Sequence, residues 1–331
     1  LLLANAPANL QGMLNISYGY SKDNKYGIHP VKSSVTVKPP GRRKKTTESY
    51  TWHLNHDVIP TRDSFVHLGI TRAGTKEADS LIQDWISSAR RTAYHMMGAG
   101  LHGNNGFDPS TAIHIYQQYV LPRLTYGLEV IQFNKSELQQ LEKFHIGMLK
   151  RLQSLPVRTA NAAVYVLGGM LPVEAILHIK ILAMFRAMCR SSNSSLKDLA
   201  ERQAATVKQN SKSWFAQVSL LLTEYHLPNP QVIMYNKPTK QQWKMQVNSG
   251  VHTVWKEKLT DELQSKSSLS YIGISSGWKL MVHQLWKTVN PNIKDAKRAG
   301  IKAKVLTNTY PLQGDKPRQK MGEDPKCQLC G

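Results

Sequence analysis

The chain has 331 residues, with 43 lysines and arginines against 22 acids, a formal net charge of +21. A field of that sign attracts polyanions, so the expected ligand is nucleic acid, an anionic membrane surface or an acidic partner, while 41% hydrophobic residues and seven tryptophans exclude wholesale disorder. Three cysteines, Cys189, Cys327 and Cys330, exclude a secreted disulfide scaffold, and no apolar run reaches the roughly 18 to 20 residues of a membrane-spanning helix.

The N-terminus, Leu1-Leu2-Leu3-Ala4, has no basic segment ahead of its apolar residues and does not read as a signal peptide, so an intracellular chain cut mid-element is expected. From Pro7 to Tyr20, Leu10, Met13, Leu14 and Tyr18 recur at helical spacing. The β-branched run Val31–Val37 predicts a strand closed by Pro39-Pro40-Gly41, Tyr50–Leu54 reads as extended, and Phe65–Ile70 is a further strand. After Arg72 the period becomes helical. Ala78, Leu81, Ile82, Trp85, Ile86, Ala89, Ala93, Met96 and Met97 form one stripe, broken at 98–106, and Asp108-Pro109-Ser110 starts a helix that Pro122 should end near Val120. Ser136 with Gln139 is a capping-box pattern ahead of a helix to Leu152. Further helices are expected at 160–167, 173–190, 214–225, 241–265 and 277–289.

Cys327-x-x-Cys330-Gly331 has the spacing of half a zinc knuckle; a thioredoxin-like pair would need a flanking strand and helix, and incidental surface cysteines are the bland alternative. Cys189, on an apolar helix, reads as a buried small residue. Arg42-Arg43-Lys44-Lys45 forms a loop cluster suited to backbone phosphates or simply to solvent. Arg90-Arg91, Lys150-Arg151 with Arg158, and Lys294, Lys297, Arg298, Lys302 and Lys304 repeat the charge on helices, a distribution that favours a long polyanion over a small ligand. No Asp-Asp, Asp-x-Asp or apolar Glu pair offers a Mg²⁺ site. His102, His114, His145 and His178 read as core-edge or surface residues.

Leu2-Leu3-Ala4-Asn5, Leu10-Gln11-Gly12-Met13-Leu14 and Tyr26-Gly27-Ile28-His29-Pro30-Val31-Lys32-Ser33, in that order, resemble the stretch after the catalytic Asp-Asp of reverse transcriptases of non-LTR retrotransposons, with His29 where Asn is usual. Phe65-Val66-His67-Leu68-Gly69-Ile70 is similar to that family's primer-grip hairpin, Leu121-Pro122-Arg123-Leu124-Thr125-Tyr126-Gly127-Leu128-Glu129 to a thumb phrase that Leu141–His145 and Leu152–Pro156 continue, and the terminal cysteines to the first half of a Cys/His cluster. The resemblance implies an α+β N-terminal remnant of a polymerase palm over 1–72, a mainly α-helical thumb over 73–156 and helical C-terminal region over 157–310, and a truncated zinc-knuckle half over 311–331. It implies RNA, DNA and RNA–DNA hybrid as partners, with a nuclear address and no membrane. Contacts would come from Arg42, Arg43, Lys44, Lys45, Leu68, Gly69, Arg90, Arg91, Arg123, Lys150, Arg151 and Arg158. The parent's Mg²⁺ ligands would precede Leu1, so this piece would bind without polymerising; Zn²⁺ would sit at Cys327 and Cys330. Lys32 would be either a general acid for pyrophosphate, a phosphate contact or a solvated lysine. The alternative is a non-catalytic basic helical module derived from such an element. A peripheral membrane protein recruited by charge is a third class.

Overall fold

The computed structural model describes residues 1–38, 50–73, 77–103, 106–206, 211, 213–272, 280–290 and 292–310. Arg42, Arg43, Lys44, Lys45, Cys327 and Cys330 lie outside them. The chain divides into two compact units, Leu1–Gln83 and Asp84–Gly331. Together they give a mix of many helices and two small antiparallel sheets.

In the first unit, α1 (Pro7–Asp23) begins with Pro7 in the first turn, where its missing N–H costs nothing. Leu10, Leu14 and Tyr18 of α1, with Ile28, pack against a small core of Val35, Trp52, Leu54 and Ile59. Gln11 fixes the register: its amide donates to the His53 carbonyl at 2.8 Å and its oxygen accepts the His53 N–H at 3.0 Å, pairing a side chain with a strand backbone. That strand, β1 (Trp52–Leu54), pairs antiparallel with β2 (Asp57–Ile59), Trp52 opposite Ile59. A second hairpin joins β3 (Ser64–His67) to β4 (Ile70–Ala73) through Leu68 and Gly69. Both turn residues have positive φ, 51° and 76°, the signature of a type I′ turn.

The strand expected over Val31–Val37 is absent from the described residues of that run. Pro30–Lys32 forms a 3₁₀ turn, closed by the Ser33 N–H to the Pro30 carbonyl, and Val35 alone makes an isolated bridge to Thr61. β-branched residues form a strand only where a partner edge is available, and here that edge meets Val35 only.

After α2 (Glu77–Met97), the second unit's helices are α3 (Pro109–Ile115), α4 (Leu121–Leu124), α5 (Lys135–Leu152), α6 (Asn161–Gly168), α7 (Val173–Cys189), α8 (Ser194–Thr206), α9 (Trp214–Glu224), α10 (Pro230–Asn236), α11 (Lys240–Gln264), α12 (Gln284–Lys287) and α13 (Ile293–Leu306). One of its cores lies along α7, where Ala175, Ile181, Leu182, Phe185 and Cys189 meet Val218, Leu221, Leu222 and Tyr225 of α9 and its end, Ile233 of α10, and Trp243, Val247 and Val251 of α11. The Trp243 indole donates to the Leu182 carbonyl at 2.9 Å, so its large apolar area is buried without an orphaned N–H.

Three expectations change here. Pro122 does not end the helix: a π-helical turn, Tyr116–Val120, links α3 to α4, and the wider i→i+5 spacing accommodates a residue with no N–H of its own. The capping box of α5 is Asn134 with Glu137, two residues ahead of Ser136. Of the expected 277–289, residues 277–279 lie outside the described residues and, of the rest, Gln284–Lys287 is helical, capped by His283, whose Nδ1 accepts the Leu285 N–H at 3.1 Å. The spacing also missed α8 and α10, the second of which starts at an Asn229 cap followed by Pro230.

Candidate nucleic-acid interface

Three segments distant in sequence meet around Ser154. The Ser154 hydroxyl donates to the Gly103 carbonyl. A Cβ placed on Gly300 of α13 would lie 3.5 Å from the Ser154 Cβ, an ordinary contact, so the helix lies close against the loop. Farther along, the Arg158 guanidinium donates to the Thr309 carbonyl at 2.8 Å, tying the loop after α5 to the end of α13. Ala299, Gly300 and Ala303 are the buried face of α13. Lys294, Lys297, Arg298 and Lys302 are exposed on the opposite arc, with Lys304 half-buried beside them. Arg298 reaches Asp295 at 3.7 Å, and the charge of Lys302 also acts on that carboxylate. Lys294 to Lys304 spans ten residues, about 15 Å of helix.

Of the expected contact residues, Lys150, Arg151 and Arg158 flank Ser154 on the segment that the buried face of α13 packs against. Lys150 is partly spent on folding: it donates to the Val157 carbonyl at 2.8 Å, and burial lowers its pKa. Arg151 is exposed, with one guanidinium N–H on the Met97 sulfur at 3.7 Å. Arg90 and Arg91 are exposed on α2 about two turns before Met97. Arg123 is exposed on α4. Lys32, Leu68 and Gly69 belong to the first unit; Lys32 is exposed in its 3₁₀ turn, and Leu68 is 77% exposed. Sequence reading passed over Phe107, 40% exposed, which with Lys294 lines a cleft at the start of α13. Its signal was faint: an aromatic in a glycine-rich break between helices.

Residues of the thumb-like phrase turn out to build the fold. Gly127 takes a left-handed φ of 67°, Tyr126 packs edge-on against Trp85, and the Glu129 carboxylate faces Lys180 at 4.0 Å while its backbone carbonyl accepts the Trp214 indole N–H at 2.7 Å. Lys180 in turn donates to the Thr125 carbonyl at 2.7 Å.

His145 and His178 are buried, not core-edge. Since a carbonyl only accepts, Nε2 of His145 donates to Leu171 at 3.1 Å and Nδ1 accepts the Tyr116 hydroxyl at 2.8 Å; this is a neutral ring, its pKa lowered by burial to about 4. One turn earlier, Glu142 accepts the Val173 N–H at 2.9 Å, capping α7 where Pro172 has no side-chain acceptor, and burial raises its pKa to about 7. Cys189 is buried, and burial pushes its thiol up to about 11, as suits an inert core residue.

No group of three or more His, Cys, Asp or Glu side chains that could hold a metal ion occurs among the described residues. No single described helix is long and apolar enough to cross a membrane. No family model matches the chain, and neither a curated protein nor a solved structure matches it.

Proposed function

We propose that this chain is a nucleic-acid-binding piece of a retrotransposon-type RNA-directed DNA polymerase, acting in the nucleus and holding a template–primer duplex through its phosphates without itself joining nucleotides. The observation that supports the binding is the packing of α13 against the end of α5 and the Arg158 loop, which brings cation-bearing segments distant in sequence next to one another while the α13 cations stay exposed. Over 15 Å one duplex strand presents about four phosphates at 3.4 Å per charge, comparable to the number of cations on that arc. Lysines and arginines that contact phosphates position a backbone and carry no sequence information, which suits a hybrid duplex recognised by shape. The ordered motif-D-like, hairpin and thumb-like phrases support the polymerase parentage.

The test is equilibrium binding of the 331-residue chain to an RNA–DNA hybrid across salt, alongside primer extension with Mg²⁺. Tight binding that falls steeply with salt, with no extension, is expected. Extension by the purified chain overturns the non-catalytic part. Preference for anionic vesicles over the hybrid overturns nucleic acid as the partner.

A further inference from the structure

Resting on that reading, we infer that the cleft at the N-terminal end of α13 is a subsite for one unpaired nucleotide, its base stacked on Phe107 and its phosphate on Lys294. The cleft is about 520 Å³, within the roughly 300–1,000 Å³ of small-ligand sites, and is lined by Gly106, Phe107, Asp108, Asn292, Ile293 and Lys294. The Phe107 ring is braced from behind. Its N–H donates to the Gly100 carbonyl at 3.0 Å, and a Cβ on Gly100 would meet the ring at 3.4 Å, so the bare glycine backs the aromatic closely. The ring is still 40% exposed.

The polar groups of the cleft are already committed. Asp108 accepts the Thr111 N–H at 3.0 Å; the Asn292 side chain accepts the Asp295 N–H at 2.8 Å and donates to the Asp295 carboxylate at 2.8 Å. Few groups remain to read a base edge, whereas an aromatic face takes any base. Lys294 belongs at once to the cleft and to the cationic arc of α13. A strand whose backbone follows that arc therefore delivers a base to Phe107 at its end, provided the base is unpaired. A base stacked between neighbours inside a duplex cannot present its face. The site thus distinguishes a single-stranded end or overhang from a continuous duplex, on a surface whose charge attracts both.

The experiment uses the full chain and two probes: a single-stranded oligonucleotide carrying one 2-aminopurine, and a blunt duplex of equal length. The expected result is quenching of the 2-aminopurine on binding. Phe107→Leu, which keeps an apolar side chain against Gly100, abolishes the quench and weakens single-strand binding about tenfold or more, with duplex binding unchanged; Phe107→Trp restores both. If Phe107→Leu binds and quenches as the wild type does, the subsite is wrong while nucleic-acid binding stands. If the wild type binds neither probe at low salt, the underlying reading fails and the subsite with it.

Discussion

The indole N–H of Trp286 donates to the side-chain oxygen of Gln153 at 3.0 Å, across 133 residues of chain. The same Gln153, fully buried, spends its amide on the Leu149 carbonyl at 3.2 Å and the Val164 carbonyl at 3.0 Å. One side chain thereby joins the end of α5, α6 and α12. Removing it leaves a buried indole N–H without its partner, at about 1–3 kcal/mol, and takes a second hydrogen bond from a helical carbonyl of α6. Gln153→Met, close in volume, is expected to cost about 2 kcal/mol in urea denaturation. A loss below about 1 kcal/mol would show that water replaces the amide, and the clamp would be unimportant.

Glu142 and His145 grip the entry to α7 from one face of α5, and they titrate in opposite senses. The folded His145 stays neutral down to about 4, whereas the unfolded ring takes a proton below its ordinary 6.5. Its contribution is full above pH 6.5 and lost as pH falls through that window. The folded Glu142 keeps its proton up to about 7, whereas the unfolded carboxyl ionises above 4.5; its contribution is full below pH 4.5 and lost as pH rises through 7. Stability measured by urea from about pH 4 to 8 should therefore change with Glu142→Gln chiefly on the alkaline side, the variant gaining relative to the wild type. His145→Gln should flatten the acid side by up to about 1.4 kcal/mol per pH unit. Parallel profiles for Glu142→Gln and the wild type would mean that the carboxyl is solvated.

Leu68 sits at a left-handed φ of 51° that costs an L-residue with a Cβ about 1–2 kcal/mol, and its side chain is 77% exposed, so little burial offsets the strain. Leu68→Asn should stabilise the β3–β4 hairpin by about 1 kcal/mol, read as slower amide exchange at Phe65 and Arg72. Faster exchange would mean that Leu68 is held by packing stronger than its strain.

Long helices with clear apolar stripes were legible, because α2 and α5 follow the 3.6 period over several turns. What escaped was decided by geometry across the chain. The Val31–Val37 run lacks an edge beyond Val35, and Pro122 is absorbed by a π turn, neither of which a local pattern carries. The site shows the same division. Lys150, Arg151, Arg158 and the α13 cations were visible as charges, but their union depends on Ser154 meeting Gly300 and Arg158 meeting Thr309, pairs far apart along the chain. Of the thumb-like phrase and its continuation, Gly127 is placed by turn geometry and Gln153 by buried hydrogen bonds, while the Glu129 carboxylate faces Lys180 at 4.0 Å.

On α13, charge and fold can be separated, because its cations lie opposite its buried face. Lys297 and Lys302 are exposed, and the acidic neighbour of Lys302, Asp295, is solvent-screened and keeps Arg298, so replacing both with Gln leaves Ala299, Gly300 and Ala303 packed and should leave the melting temperature nearly unchanged. Each phosphate that a lysine no longer neutralises lowers the magnitude of the slope of log K against log salt by about 0.9 on duplex. The double variant is therefore expected to bind an RNA–DNA hybrid with a slope shallower by about 2 and with weakened affinity at low salt. The affinities of the two proteins should converge at high salt, where counterion release no longer drives binding. An unchanged slope would place the duplex on another surface, and a lower melting temperature would mean that the lysines support the helix and not the ligand.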